Sequence, residues 1–298
     1  MTDNTSTFQS QPNPPLVTVV VTTKNSEQFM AECLGSVTKQ TYPNVELVVV
    51  DNASDDRTCD IARKYTDKVV QKGPERSSQR NHGGLTVGQG KFLVFLDSDN
   101  EIEPGLVSEG VEKFYAEADL AALYIPLRKL DYNWISQAKG FEREFLDGTC
   151  IDAVRFIRRE AFQEVGGYDE TICGCEDWDL SQRLKSQGKF GSIQSRIFQH
   201  EDPDLTLTQY LGKMKYYSQN IQHYREKWGN GSEDVRKQFS VVYRFFTVFL
   251  EQGKWKKLLT HPILTIKMFW LRMLVGFVYL RHRNNILPEV RTVKDSPY

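Results

Sequence analysis

The sequence predicts an α/β fold built on a mostly parallel sheet with helices on both faces, followed by a C-terminal helical appendage. Short β-branched apolar runs at Leu16–Val21, Val45–Val50 and Phe92–Leu96 are each bounded by polar or glycine-containing stretches, the pattern of strands buried on both faces. Helical periodicity separates these runs, so the order is β-α-β-α-β-α-β, which right-handed crossovers fold into a parallel sheet. Polar clusters follow the runs at Thr22–Asn25, Asp51–Asp56 and Asp97–Asn100. Sheets of this kind bind ligands at the carboxyl ends of their strands, so the three clusters point into one crevice.

In chain order, Met1–Pro15 is polar and rich in Ser, Thr, Gln, Asn and Pro, without the basic start and apolar run of a signal peptide; a disordered lead-in is expected. Glu27–Val37 places Phe29, Met30, Cys33, Leu34 and Val37 on one helical face. Further helices are expected at Thr58–Tyr65 and about Ser77–Val87, and another from beyond Pro104 to Glu117. A strand at Ala121–Pro126 precedes a variable segment to Gly148, and a strand at Cys150–Ile157 leads to the Gly166-Gly167-Tyr168-Asp169 turn and a helix from near Glu176. Three regions result: a lead-in (1–15), a catalytic domain (16–204) and a C-terminal helical region (205–298).

The chain has 298 residues, 40% hydrophobic and 26% charged, enough to bury a sizeable core. Its formal net charge of −1 removes any global electrostatic reason to expect nucleic acid as a partner. Five cysteines, at 33, 59, 150, 173 and 175, do not form a disulfide framework, and a reducing, cytosolic compartment is expected. Cys173 and Cys175 lack the further ligands of a zinc site, and buried thiols are the preferred reading.

Asp97-Ser98-Asp99 follows an apolar strand, so two carboxylates leave the sheet at its ligand edge. Hard oxygen donors there suit Mg²⁺ or Mn²⁺ on a diphosphate, which offsets leaving-group charge without a proton. Turn capping by Asp97 and a solvated Asp99 is the plainer alternative. Asp51 can accept from a uracil or guanine N–H, a reading preferred over a local cap, whereas Asp55 and Asp56 are assigned to capping. Arg76 and Arg80, beside the helix start after Gly73-Pro74, form a natural diphosphate site. Glu176-Asp177-Trp178-Asp179 opens a helix, where acidic residues also complement the macrodipole. Direct displacement at a sugar carbon needs a base for the acceptor hydroxyl, and Asp177 is the first choice, Glu176 the second.

Taken in order, Val19–Asn25, Gln40–Glu46, Val50–Asp56, Arg80-Asn81-His82-Gly83, Phe95–Asp99 and Gly167-Tyr168-Asp169 followed by Glu176–Leu180 resemble the family 2 glycosyltransferases over roughly residues 16–202. That resemblance implies a GT-A-type, Rossmann-like fold and an inverting transfer from a UDP- or GDP-sugar with Mn²⁺ or Mg²⁺. It also implies that Thr22, Thr23, Asp51 and Arg80 hold the nucleotide and that Asp97 faces the ribose; Asn25, Arg76 and Ser98, in the same strand-end and helix-start clusters, complete the expected nucleotide-sugar set. Asp99, with Asp97 and His200, would bind the metal, and Asp177 would be the base. Two departures stand out: Thr22-Thr23-Lys24-Asn25 lacks the aromatic residue many relatives carry there, and there is no Gln-x-x-Arg-Trp motif, so a single-addition enzyme is preferred over a polymerase.

From Leu205 to Trp228 a helical pattern interleaves Tyr210, Lys213, Lys215, Tyr216, Tyr217, Tyr224, Arg225 and Lys227, which suits a solvated face, a phosphate-bearing acceptor or a membrane surface. Ile263–Leu280 is apolar but interrupted by Lys267 and Arg272, and Lys254, Lys256, Lys257, Arg281 and Arg283 flank it. Central cations disfavour a spanning helix. A peripheral membrane contact through residues 240–283 is one reading, and core or dimer packing, hence an oligomer, is the other. The acceptor expected is a lipid-linked or cell-surface glycan precursor at the cytoplasmic face of the membrane. A nucleotidyltransferase would carry a glycine-rich loop after its first strand, and Thr22–Glu27 has no glycine; a non-catalytic nucleotide-sugar-binding protein would not need Asp51, Asp97, Asp99 and Asp177 together.

Overall fold

The computed structural model describes residues 13–282 apart from 131 and 230, and excludes the side chains at 218–220 and 222. Most of the expected lead-in, and Arg283, lie outside these residues. The end of that lead-in is ordered: the carbonyls of Pro14 and Pro15 accept from Asn44 Nδ2 at 2.8 Å and from the Tyr42 hydroxyl at 2.7 Å.

The first half alternates β1 (Val17–Thr23), α1 (Met30–Thr38), β2 (Val45–Asp51), α2 (Thr58–Ala62), β3 (Val69–Gln71), α3 (Arg76–Asn81) and β4 (Phe92–Asp97). Where one helix is expected at Ser77–Val87, α3 instead continues into a π-helical turn, His82–Val87. A close approach accounts for Gly83 there, since a Cβ would lie 2.4 Å from Val20 Cγ1 and 3.0 Å from Val50 Cγ2. Then come β5 (Asn100–Ile102), α4 (Leu106–Ala116), β6 (Leu120–Tyr124), β7 (Leu127–Lys129), α5 (Trp134–Leu146), β8 (Val154–Arg158), α6 (Arg159–Glu164), α7 (Glu176–Leu184), β9 (Lys189–Ser192) and β10 (Ile197–Gln199). The segment read as variable thus contains β7 and α5, the latter started by a capping box between Asn133 and Ser136.

The main sheet runs β3-β2-β1-β4-β8-β6-β9, and its strands pair in parallel except that β8 runs against both β4 and β6. Alternation in the central strands explains the two-sided core. Val17, Val19, Val21, Val49, Val94 and Leu96 meet α1 and α4 on one face, while Val20, Val48, Val50, Leu93 and Phe95 meet Phe162, Tyr168, Leu180 and Leu184 on the other. Register aligns Thr22 with Asp97 and Thr23 with Asp51, so the polar strand ends share one edge. A second sheet, β5-β10-β7, extends that edge beyond β4.

The C-terminal region comprises α8 (Leu207–Trp228), α9 (Glu233–Phe239), a π-helical turn at Tyr243–Thr247, α10 (Val248–Leu250), α11 (Lys256–Thr260) and α12 (Pro262–His282). It shares cores with the rest of the chain: Phe141 and Phe145 of α5 pack with Phe249 and Met268, and Ile135 and Ala138 with Tyr210 and Leu271. At the C-terminal end of α8, Trp228 Nε1 donates to buried Asp179 at 2.8 Å, and Lys227 Nζ lies 2.8 Å from Asp179 and 2.6 Å from Asp169. All five cysteines are free thiols.

Gly83→Ala should cost about 2 kcal/mol of stability, because a methyl group would enter a filled site between β1 and β2; urea denaturation measures it. Lys227→Met should cost about 1 kcal/mol at neutral pH, allowing for the solvent near the pair. Partial burial pushes the Asp169 carboxyl up, but Lys227 and Thr171 hold it at about 2, below the usual 3.8. Its stabilisation is therefore complete above about pH 4 and fades as pH falls toward 2, so the gap between wild type and variant should close over that window. A gap that stays constant through the same acid titration would deny the pair this role.

Candidate active site

Arg80 occupies the middle of the ligand edge with 1% of its surface exposed. It sits at the end of α3, and Gln79 fixes that helix by donating to the carbonyls of Thr23 at 2.9 Å and Val50 at 2.6 Å. One guanidinium nitrogen of Arg80 donates to Asp97 Oδ1 at 2.9 Å; the other lies 3.2 Å from Asp177 Oδ1 and 3.6 Å from Glu176 Oε1. The Tyr168 ring lies beneath it at 5.1 Å, and the Tyr168 hydroxyl donates to Asp177 at 3.4 Å. Carboxylates from β4 and α7, about 80 residues apart in the chain, are thereby joined through one cation.

Burial pushes the Asp97 carboxyl up, yet Arg80, Arg76 at 3.9 Å and Arg155 at 3.8 Å together hold it well below the usual carboxylate range. Thr22 Oγ1 donates to it at 3.5 Å. Asp99, in the tight turn between β4 and β5, has the opposite balance: burial and the Asp97 charge raise it. Its oxygens accept from Asn100 Nδ2 at 2.8 Å and Gln199 Nε2 at 3.0 Å. Glu176 is raised by burial and then by Asp177, and its Oε2 is buried without a hydrogen bond. Asp177 is the more exposed of that pair.

The remaining expected residues divide into two groups. Asp51 is buried, and Ser54 supplies its N–H at 2.9 Å and its hydroxyl at 2.5 Å, so the local bonding considered for Asp51 is present. Asn25 adopts φ 47° and accepts from the Asp55 N–H at 3.0 Å, tying the loop after β1 to the loop after β2. Thr23 Oγ1 is buried without a partner, and Ser98 donates to Ser26 at 2.8 Å. Asp56 accepts from the Thr58 N–H at 2.9 Å, although the N-cap position of α2 is Arg57, without a side-chain cap bond. Arg76, unlike Arg80, reaches toward solvent and donates to the Tyr217 hydroxyl at 3.0 Å. Arg80 faces carboxylates rather than open space, which makes it a residue that positions the site.

His200 lies beside Asp99, with which the expected metal set groups it. Its Nε2 meets Glu101, its Nδ1 meets the Tyr132 hydroxyl at 2.8 Å, and its ring stacks on Phe29 at 5.1 Å. Its backbone N–H donates to the Asp99 carbonyl at 2.8 Å, which keeps it beside the Asp97-Ser98-Asp99 turn. Among the described residues no three Asp, Glu, His or Cys side chains form a ready-made metal cage. Asp99 fits a hard cation shared with a diphosphate, since it is an oxygen donor beside Asp97 at the ligand edge and a bound cation would oppose the raising effect of burial and the Asp97 charge on its carboxyl. Arg155, Tyr168, Gln199 and Tyr217 were not expected. The signal for Arg155 was a charged residue inside an otherwise apolar strand.

The family model described as glycosyl transferase family 2 matches residues 18–167, half of the chain. Among curated proteins, the O-antigen biosynthesis protein RfbC of Myxococcus xanthus is 30% identical over 205 residues, 62% of this chain and 16% of that protein. The chondroitin synthase of Pasteurella multocida (strain Pm70) is 24% identical over 191 residues, 59% of this chain and 19% of the other. The chain therefore aligns with less than a fifth of the length of either relative. Among solved structures, the Pyrobaculum calidifontis mannosyltransferase PcManGT, in complex with GDP-Man and Mn²⁺, superposes with a TM-score of 0.61 at 17% identity over 91% of this chain and 88% of that one. Staphylococcus aureus TarS 1–349, in complex with UDP-GlcNAc, gives 0.53 at 16% identity, covering 93% and 94%. These likenesses identify the fold as GT-A-type, and the family match answers the nucleotidyltransferase alternative. By its fold and by the family model that spans its strand-end motifs, the chain belongs to glycosyltransferase family 2.

Proposed function

We propose that this glycosyltransferase moves a sugar from a nucleotide-diphosphate sugar, UDP- or GDP-linked, to an acceptor hydroxyl with inversion. The observation that carries the reading is the Arg80 bridge, which sets Asp97 and Asp177 on either side of one buried guanidinium with Asp99 adjacent. Relatives named for surface-polysaccharide synthesis and neighbours solved with GDP-Man, Mn²⁺ and UDP-GlcNAc support it. In this reading Thr22, Thr23, Asn25, Asp51 and Ser98 receive the nucleoside, Asp97 the ribose side, and Arg76 the diphosphate. Asp99 would be the protein's main ligand for Mn²⁺ or Mg²⁺, and the bound cation would offset charge on the diphosphate leaving group. Asp177 takes the acceptor proton: Arg80 and Tyr168 orient its carboxylate while leaving it reachable from the crevice. Glu176, buried and raised, is the second choice and serves better to keep Arg80 in place. A single addition per acceptor remains the preferred mode, although some relatives are named synthases.

The acceptor proposed is a lipid-linked or cell-surface glycan precursor, met by an enzyme lying on the cytoplasmic face of the membrane. Helix α12 has 21 residues and contains an 18-residue window of mean hydropathy 1.7, long and apolar enough by length and composition to cross a membrane. Its two central cations are turned inward: Lys267 donates to Gln137 at 3.0 Å, and Arg272 meets Glu142 and the Arg244 carbonyl. What faces out is Ile263, Ile266, Trp270, Met273, Phe277 and Leu280, each 57 to 70% exposed. That stripe favours peripheral contact with lipid, with Lys256 and Arg281 at its ends. Because Phe249, Met268 and Leu271 belong to shared cores, the catalytic domain and the C-terminal helices act as one unit in this proposal.

Asp99→Ala should abolish metal-dependent binding of UDP or GDP in calorimetry, whereas Asp177→Asn should bind donor normally and lose about 10²–10⁴-fold in turnover. Undiminished turnover in the second variant would remove Asp177 as the base. Replacing Ile266, Trp270 and Phe277 with Ser, which spares the buried side of α12, should release the protein from anionic liposomes in a flotation assay. Flotation equal to wild type would dismiss the stripe as a lipid contact.

A further inference from the structure

Arg155 stands near the start of β8, and its side chain is 13% exposed beside the crevice. Its salt-bridge partner is Asp97, and at 3.8 Å that contact is too long for a hydrogen bond. Its Nε is buried without an acceptor, and among the described residues no group accepts a hydrogen bond from its guanidinium. Arg158, three residues further along the same strand, shows the ordinary outcome: its Nε and one terminal nitrogen donate to the carbonyls of Leu120 and Phe114, both at 2.6 Å. A fork of donors largely withdrawn from water and given nothing to bond is unfavourable unless another molecule brings acceptors.

The neighbourhood indicates which acceptors those are. Asp97 uses its two oxygens differently. Its Oδ1 accepts from Arg80 at 2.9 Å and from Thr22 at 3.5 Å, whereas Oδ2 has Arg155 at 3.8 Å and Arg76 at 3.9 Å. Two guanidiniums, one from β8 and one from α3, therefore stand off a single oxygen at nearly equal distances, and neither bonds it. The Tyr217 hydroxyl accepts from Arg76 at 3.0 Å and so fixes its direction. One carboxylate oxygen cannot satisfy two forks, but a group with several charged oxygens can take both at once. A diphosphate is such a group, and this is the strand-end edge where the donor reading places one.

We infer that Arg155 is a ligand of the donor's diphosphate and shares its oxygens with Arg76. The inference rests on the donor reading given above and extends it to a strand that reading leaves unused. In the transfer, the bond between the anomeric carbon and the diphosphate oxygen breaks, and its electron pair stays on that oxygen. The acceptor oxygen bonds the carbon, and the acceptor proton passes to Asp177. Arg155 holds the nucleoside diphosphate as its negative charge grows.

The test compares full-length wild type, Arg155→Gln, Arg155→Lys and Arg76→Gln in Mg²⁺ buffer. Calorimetry reads the affinity for UDP or GDP, whichever binds wild type more tightly, and displacement of that diphosphate reads the affinity for the matching nucleoside. Arg155→Gln should bind the diphosphate at least tenfold more weakly and the nucleoside within twofold of wild type. Arg155→Lys, which keeps the charge without the fork, should recover part of the loss; if the glutamine variant does not fold, the lysine variant should still lose at least threefold for the diphosphate alone. Unchanged diphosphate affinity in the folded Arg155 variants would overturn the inference. So would an equal loss for nucleoside and diphosphate, which would make Arg155 a support for Asp97 at the ribose. Wild type that binds neither UDP nor GDP, or Arg76→Gln that binds the diphosphate as wild type does, would instead overturn the donor reading on which the inference stands.

Discussion

A single desolvated guanidinium organises this molecule's ligand edge. Arg80 is nearly inaccessible to water, and a cation so placed is tolerable only when carboxylates surround it; Asp97, Asp177 and Glu176 do so. The dependence is mutual, because three acidic groups packed together would repel one another without it. Its Nε nevertheless has no acceptor, and Glu176 Oε2 has no donor. The network is therefore not a relaxed ion-pair cluster but one whose geometry the surrounding elements impose: Gln79 holds α3 against β1 and β2, and Tyr168 closes the underside.

The C-terminal helices share in that imposition. Helix α8 begins at a capping box between Thr206 and Gln209 and ends against Asp169 and Asp179. Between those fixed ends, Tyr217 reaches Arg76, and Tyr216 reaches Glu75 at 3.4 Å. A helix beyond the segment matched by the family model thus completes the wall of the crevice.

Local pattern made much of this legible. Apolar runs such as Val45–Val50 and Phe92–Leu96 can only be strands covered on both faces, and the aspartates that end them must then lie together. What stayed hidden depends on tertiary partners. The segment between Pro126 and Gly148 mixes polar and apolar residues without a clean period because α5 is packed on several sides, against β7, α12 and α10. That Glu101 and Tyr132 meet the two ring nitrogens of His200 could not be read locally, since both partners are distant in the chain. Lys267 and Arg272 seemed to spoil an apolar helix, and only the fold reveals which way they turn.

The reversed direction of β8 has a consequence for how such an enzyme can diversify. In a wholly parallel sheet each strand contributes to the ligand edge through the loop that follows it. An antiparallel strand does so through the loop that precedes it. Arg155, near the start of β8, therefore arrives beside Asp97, and residues 147–153 border the crevice while α6 leaves on the opposite side. That preceding loop is anchored, with Asp152 buried against Arg143 and the Ile151 carbonyl accepting from Trp178 Nε1 at 2.9 Å, so variation at this rim must keep those contacts while strand order stays as it is.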